Sequence, residues 1–309
     1  MNKTTTYEGI FTALVTPFKQ NGEIDWHSFD ALLDRQLEAG IHGLVPVGTT
    51  GEAATLSENE TMSIIHRTVK RASDHAYILA GTGSNSTLKT VATTQAAAAE
   101  GIDGALVVTP YYNKPSQQGL IKHFQAVAES VDIDIILYSV PGRSVISIEA
   151  DTANTLKNSL NNIAGIKEAG GDPARVTELR SACGIDFNIH CGDDNLALPF
   201  YSLGASGLTS VLSNFDPEIC ISLYNAWKNG DIETALILHE LIYPMASALF
   251  IDSSPSPVKA AMSRAGNISD TVRMPLASMS SDLCERLYKS MDSYHENRSD
   301  ILDNYRKTA

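Results

Sequence analysis

The chain has 309 residues, 43% hydrophobic and 19% charged, an ordinary globular balance that excludes a disordered chain. Lys and Arg number 23 against 36 Asp and Glu, and the net charge of −13 makes DNA, RNA and anionic membrane surfaces poor partners. Four cysteines at wide spacings form no CxxC, no apolar run approaches the ~20 residues of a membrane span, and the N-terminus has no signal-peptide core, so a soluble cytoplasmic protein with reduced thiols is expected.

Short apolar runs alternate with helical patterns along most of the chain. Strands are predicted at 10–15, 43–47, 77–80, 104–109, 134–140, 163–167, 187–191 and 207–212. Most are continuous apolar runs, the pattern of strands buried on both faces of a parallel sheet. Helices are predicted at 26–38, 58–72, 88–99, 118–130, 149–158, 175–182 and 217–228. Ser57 followed by Glu60 matches a capping box, and Asp172-Pro173 puts a proline at a first helical turn. Eight strands alternating with helices indicate a (β/α)8 TIM barrel, here at 1–230. Helices at 232–248, 257–265 and 281–294 then make a C-terminal helical domain at 231–309, ending in a polar, frayed tail at 295–309.

Barrels of this kind carry their chemistry at the C-terminal ends of the strands. Strand six ends in Gly165-Ile166-Lys167-Glu168. By alternation Lys167 shares a face with Ile163 and Gly165, opposite Ile166, and Gly165 leaves room for it. On an interior face, a low-dielectric space disfavours the ammonium and frees the amine as a nucleophile toward carbonyls. The same lysine could instead cap the strand with its head in water. Tyr138 on strand five is either a proton carrier or core with a satisfied hydroxyl. Arg143 follows Pro-Gly at the rim, where it is either a clamp for a carboxylate or a solvated loop residue. Thr49 and Thr50 offer hydroxyls and N–H groups to a small carboxylate, or mark a tight turn that needs its glycines. His190, Cys191, Asp193 and Asp194 are metal-ligand types, but alternation splits His190 from Cys191, and no metal is expected. The glycines near 81–83 and 204–207 complete no nucleotide-binding motif.

Taken in order, GTTGE, TPYYNKPSQ, YSVPGR, GIKEA and CGDD on successive strand ends resemble the dihydrodipicolinate synthase / N-acetylneuraminate lyase family, from Phe11 to about Leu276. The resemblance implies a pyruvate-dependent class I lyase that needs no metal or organic cofactor and assembles as a homotetramer of two tight dimers. The PGR after the strand-five tyrosine and the YYNKPSQ stretch lie nearer the synthase branch, which condenses pyruvate with aspartate 4-semialdehyde toward diaminopimelate and lysine. Carried over residue by residue, Lys167 forms the imine, while Tyr138, Thr49 and Tyr112 relay protons, Tyr112 from the neighbouring subunit. Thr50, Gly192 and Thr209 fall at the pyruvate subsite, Arg143 holds the semialdehyde carboxylate, and Tyr111 packs at the dimer interface. The chain departs from the family pattern at Ser139, Thr209 and Ser254–Pro257, which leaves another pyruvate aldolase, or an idle keto-acid sensor, as the rival readings.

Overall fold

In the computed structural model, which describes residues 5–308, eight parallel strands close on themselves in sequence order. They are β1 (Gly9–Ala13), β2 (Gly43–Val45), β3 (Tyr77–Gly81), β4 (Gly104–Val108), β5 (Asp134–Ser139), β6 (Ile163–Glu168), β7 (Asn188–Cys191) and β8 (Gly207–Ser210), and β8 pairs with β1. Around them run α1 (Trp26–Glu38), α2 (Glu58–Ala72), α3 (Thr87–Ala99), α4 (Gln117–Ala128), α5 (Pro141–Ser144), α6 (Ala150–Ser159), α7 (Ala174–Cys183), α8 (Ala197–Ser202) and α9 (Pro217–Lys228). The chain continues through α10 (Ile232–Ala248), α11 (Ser256–Arg264) and α12 (Ser281–Thr308). The TIM barrel expected from the pattern is therefore present, with the C-terminal helices packed on it.

Alternation sorts the strand residues into two cores. Ile10, Leu44, Ile78, Val107, Leu137, Ile166, Ile189 and Leu208 point outward under the helices. Phe11, Val45, Leu79, Leu106, Ile136 and Tyr138 fill the barrel interior with Tyr7. Because both faces are buried, strands such as β3 and β4 read as nearly continuous apolar runs, while β6, β7 and β8 carry polar residues among them.

Helix ends follow their local chemistry. Ser57 accepts from Glu60 N at 3.2 Å and Ser57 N donates to Glu60 at 2.9 Å, completing the capping box of α2. Pro173 stands one residue before α7, where Asp172 accepts from Ala174 N at 2.9 Å.

Three corrections bear on the site and the chain's end, besides strands one and eight, which stop at Ala13 and Ser210 rather than at 15 and 212. Strand two ends at Val45 rather than 47, because Val47 adopts a left-handed φ of 51°. The predicted tail at 295–309 is helical as far as Thr308, with Ala309 outside the described residues. It is held by side chains: Tyr294 donates to Asp216 at 2.7 Å, and Arg298 pairs with both Asp216 and Glu218 at the start of α9. The third correction concerns strand six, below.

Candidate active site

Strand β6 sets the site. Its pairing with β5 slips between Ile135 and Ile136, so Ile135 faces Ile163 while Ile136 faces Gly165. The extra residue breaks the two-residue period. Ile163 therefore joins Ile166 in the outer core, contrary to the expected shared face, while Lys167 turns inward.

Lys167 is buried and its Nζ lies 4.4 Å from the centre of the Tyr138 ring, the residue paired with it across β5. The face of the Tyr138 ring fixes where the amine sits. Room for the lysine comes from Gly192, where a Cβ would fall 3.1 Å from Lys167 Cε. Gly165 makes room for something else: a Cβ there would fall 2.5 Å from Asn188 O and 3.1 Å from Tyr7 Cδ1.

Next to Lys167 on β7 is His190, stacked on Tyr7 with ring centres 3.6 Å apart. Its Nδ1 is 3.2 Å from Thr209 Oγ1, which is also 3.0 Å from the Tyr7 hydroxyl. Burial holds the imidazole well below its usual range, and the Lys167 charge adds to that, so His190 is neutral. The Thr209 hydroxyl is thus engaged by two interior partners.

The remaining groups surround the mouth. Asp193 is raised by burial, against the opposing pull of Lys167. Asp194 is fully buried and accepts from Ser210 Oγ, Val211 N and Leu212 N, which shapes the end of β8. Cys191 lies in the outer core, away from His190. Among the described residues no group of three or more His, Cys, Asp or Glu is placed to hold a metal ion. Thr49 is exposed and Thr50 buried in the loop after β2. Arg143 stands exposed on α5, its Nη2 donating to Ser254 O at 3.4 Å. Short α5 is tied to the end of β4, because Thr109 donates to Ser144 Oγ at 2.8 Å. Tyr111 and Tyr112 follow β4, and Tyr112, with φ of 74°, is 88% exposed and so makes little contact within its own chain.

Three further residues matter that the sequence does not single out, Tyr7, Glu52 and Lys259, and His190, weighed there only as a metal ligand, is instead stacked on Tyr7 inside the barrel. Glu52 and Lys259 form an ion pair with both side chains fully buried. Glu52 lay inside GTTGE, but nothing in the sequence joins it to Lys259, 207 residues further on.

A closed parallel barrel with an enclosed lysine amine against a tyrosine ring at its mouth is the layout of an imine-forming lyase or aldolase. Residues 6–293 match the model of the dihydrodipicolinate synthetase family, and the chain belongs to that family. It is 44% identical over 272 residues to the 4-hydroxy-tetrahydrodipicolinate synthase of Bradyrhizobium diazoefficiens, covering 88% of this chain and 91% of that protein. Similarity of the same order, 44% over 269 residues, joins it to the synthase of that name from Bartonella bacilliformis, covering 87% and 92% of the two chains. The solved 4-hydroxy-tetrahydrodipicolinate synthase of the methanotroph Methylacidiphilum fumariolicum superposes with a TM-score of 0.95 at 40% identity, over 96% of this chain and 99% of that one. The dihydrodipicolinate synthase of Acinetobacter baumannii, solved in complex with pyruvate, gives 0.91 at 38% identity, over 94% and 99%.

Proposed function

We propose that the chain condenses pyruvate with L-aspartate 4-semialdehyde to 4-hydroxy-tetrahydrodipicolinate through an imine on Lys167. The observation that carries this reading is the Lys167 amine, enclosed at the barrel mouth and seated on Tyr138. It is supported by relatives of that name and by a neighbour solved with pyruvate.

Lys167 Nζ adds to the pyruvate ketone, and loss of water leaves the protonated imine. That imine is an electron sink, so the methyl group gives up a proton and becomes the enamine carbon. The enamine attacks the aldehyde, whose oxygen takes a proton. The amine of the second substrate then adds to the imine carbon, expels Lys167 and closes the ring. Each stage moves a proton, for which Tyr138, Thr49 and the Tyr112 of a second copy serve in relay. Thr50, Gly192 and Thr209 border the pyruvate, and Arg143 holds the semialdehyde carboxylate at the rim.

The reading carries an assembly with it. A Tyr112 that reaches a neighbour's site requires at least a dimer, and Tyr111 packs at that contact. Exposed Ile232, Leu236 and Tyr243 on α10 supply a second apolar face for a homotetramer. Residues 1–230 act as the barrel and 231–309 as the helical domain, working in the cytoplasm. Among the described residues no helix is long and apolar enough to cross a membrane.

A second reading, another acceptor aldehyde, is favoured by one observation: Arg143 donates to the carbonyl of Ser254, one of the residues that depart from the family pattern. Assay of pyruvate turnover against a panel of aldehydes tests both. Turnover with aspartate 4-semialdehyde far above the other aldehydes supports the proposal, and preference for another aldehyde overturns its second substrate.

A further inference from the structure

The loop bearing Thr49 and Thr50 is bracketed by two non-glycine residues in the left-handed region, Val47 with φ of 51° and Glu52 with φ of 57°. The first is β-branched, for which that conformation is especially unfavourable. Such a backbone persists only where its surroundings fix it. Hydrogen bonds within the loop set its curl: Gly51 N to Gly48 O at 3.1 Å and Glu52 N to Thr49 O at 3.1 Å. At the entrance, a Cβ on Gly81 would strike Val47 O at 2.4 Å, so β3 lies directly against the loop. From β1's own loop, Thr16 donates to Gly51 O at 2.7 Å.

The exit is held from the far end of the chain. Lys259 Nζ on α11 donates to Glu52 Oε1 at 2.5 Å, and Arg273 N donates to Glu52 Oε2 at 2.9 Å. Lys259 also donates to Thr271 O at 2.9 Å and lies 4.2 Å from the centre of the Phe18 ring. The Arg273 guanidinium covers the same Phe18 ring at 4.3 Å and donates to Gly22 O, Thr55 O and Glu60. Both Glu52 oxygens are therefore satisfied by residues beyond position 255.

A buried ion pair is a poor source of net stability, because desolvation offsets the attraction. Its strength is geometric: each charge has one low-energy place to be. We propose that Glu52 and Lys259 are positioning residues that hold the Thr49–Thr50 loop for the reaction, which makes the C-terminal segment a working part of the site. This rests on the reading that Thr49 relays protons there.

A double-mutant cycle tests it, using the full-length enzyme with Glu52→Gln, Thr49→Val and both together. Turnover at saturating pyruvate, KM and borohydride-trapped imine are measured well below each variant's melting transition. Glu52→Gln is expected to fold and to lose at least tenfold in turnover, and the double variant to be no slower than Thr49→Val alone. If Glu52→Gln does not fold, Glu52→Gln with Lys259→Met, which removes both charges, takes its place in the cycle. Wild-type turnover and KM in the folded variant, or losses that simply multiply, would overturn the proposal. A wild-type chain that traps no pyruvate instead defeats the underlying functional reading, so the two failures are distinct.

Discussion

Gly192 stands where any larger residue would meet Lys167: a Cβ there falls 3.1 Å from Lys167 Cε and 2.5 Å from Ala169 Cβ. Gly192 N also donates to Glu168 O at 2.8 Å, so the backbone cannot back away without breaking a strand-end hydrogen bond. The absent side chain is part of how the amine is seated.

Gly192→Ala should disturb both the lysine and the strand end beside it, since the added Cβ meets Ala169 Cβ at 2.5 Å as well as Lys167 Cε and Glu168 O at 3.1 Å. Overpacking of this kind costs about 1–3 kcal/mol of stability. Imine formation should slow by roughly tenfold or more in a chain that remains folded. Stopped-flow mixing with pyruvate, beside a melting curve, checks it, and an unchanged imine rate would show that Lys167 has slack.

Arg143 is exposed, and its contact with Ser254 O is long at 3.4 Å. Its removal should leave the barrel intact. Loss of a charged hydrogen-bonded contact costs ~1.5–3 kcal/mol. Arg143→Ala should thus lower kcat/KM for the semialdehyde by roughly ten- to a hundredfold and spare imine formation with pyruvate. Equal loss in both would place Arg143 at the pyruvate or in the fold.

How far the sequence reaches is visible in particular residues. The strand order and the enclosed lysine are legible because a barrel buried on both faces writes itself as continuous apolar runs with reactive groups at their ends. The partner of Lys167's face is not legible, since the slip between Ile135 and Ile136 leaves no mark in composition. Tyr7 cannot be placed from sequence either: its hydroxyl meets Thr209 across 202 positions. The helical tail fails for the same reason, because polar residues read as fraying until Arg298 is seen against Asp216. Local chemistry is readable, and contacts between distant charged groups are not.

Glu168 gives a pH dependence. Burial pushes its carboxyl up to about 7 from 4.5, against Arg175, the Gly170 N–H and the Ser139 hydroxyl. Its Oε2 has no hydrogen-bond partner, and Arg175 Nε stands 3.6 Å away. A raised carboxyl means that the folded chain binds the proton more tightly. The stability this provides is complete below about pH 4.5 and is lost as pH rises through about 7. The change is on the order of 3 kcal/mol. Glu168→Gln should gain melting temperature relative to wild type at pH 8 compared with pH 5. A parallel offset at both pH values would show that Glu168 does not titrate in this window.

Tyr112 should work in trans. Tyr112→Phe and Lys167→Ala chains should each turn over poorly alone. Mixed and reassembled, they form hybrids in which one wild-type Lys167 meets one wild-type Tyr112. Activity recovered on mixing is the expected result, and a mixture no more active than its parts would return Tyr112 to its own chain.

The most direct measurement is borohydride reduction in the presence of pyruvate, followed by peptide mapping. The covalent adduct is expected on Lys167, with none in Lys167→Ala. Lys259 is the internal control, since among the described residues it is also a buried amine, and burial lowers it to about 8. A reduced pyruvate adduct on Lys259, or on no lysine at all, would contradict the account.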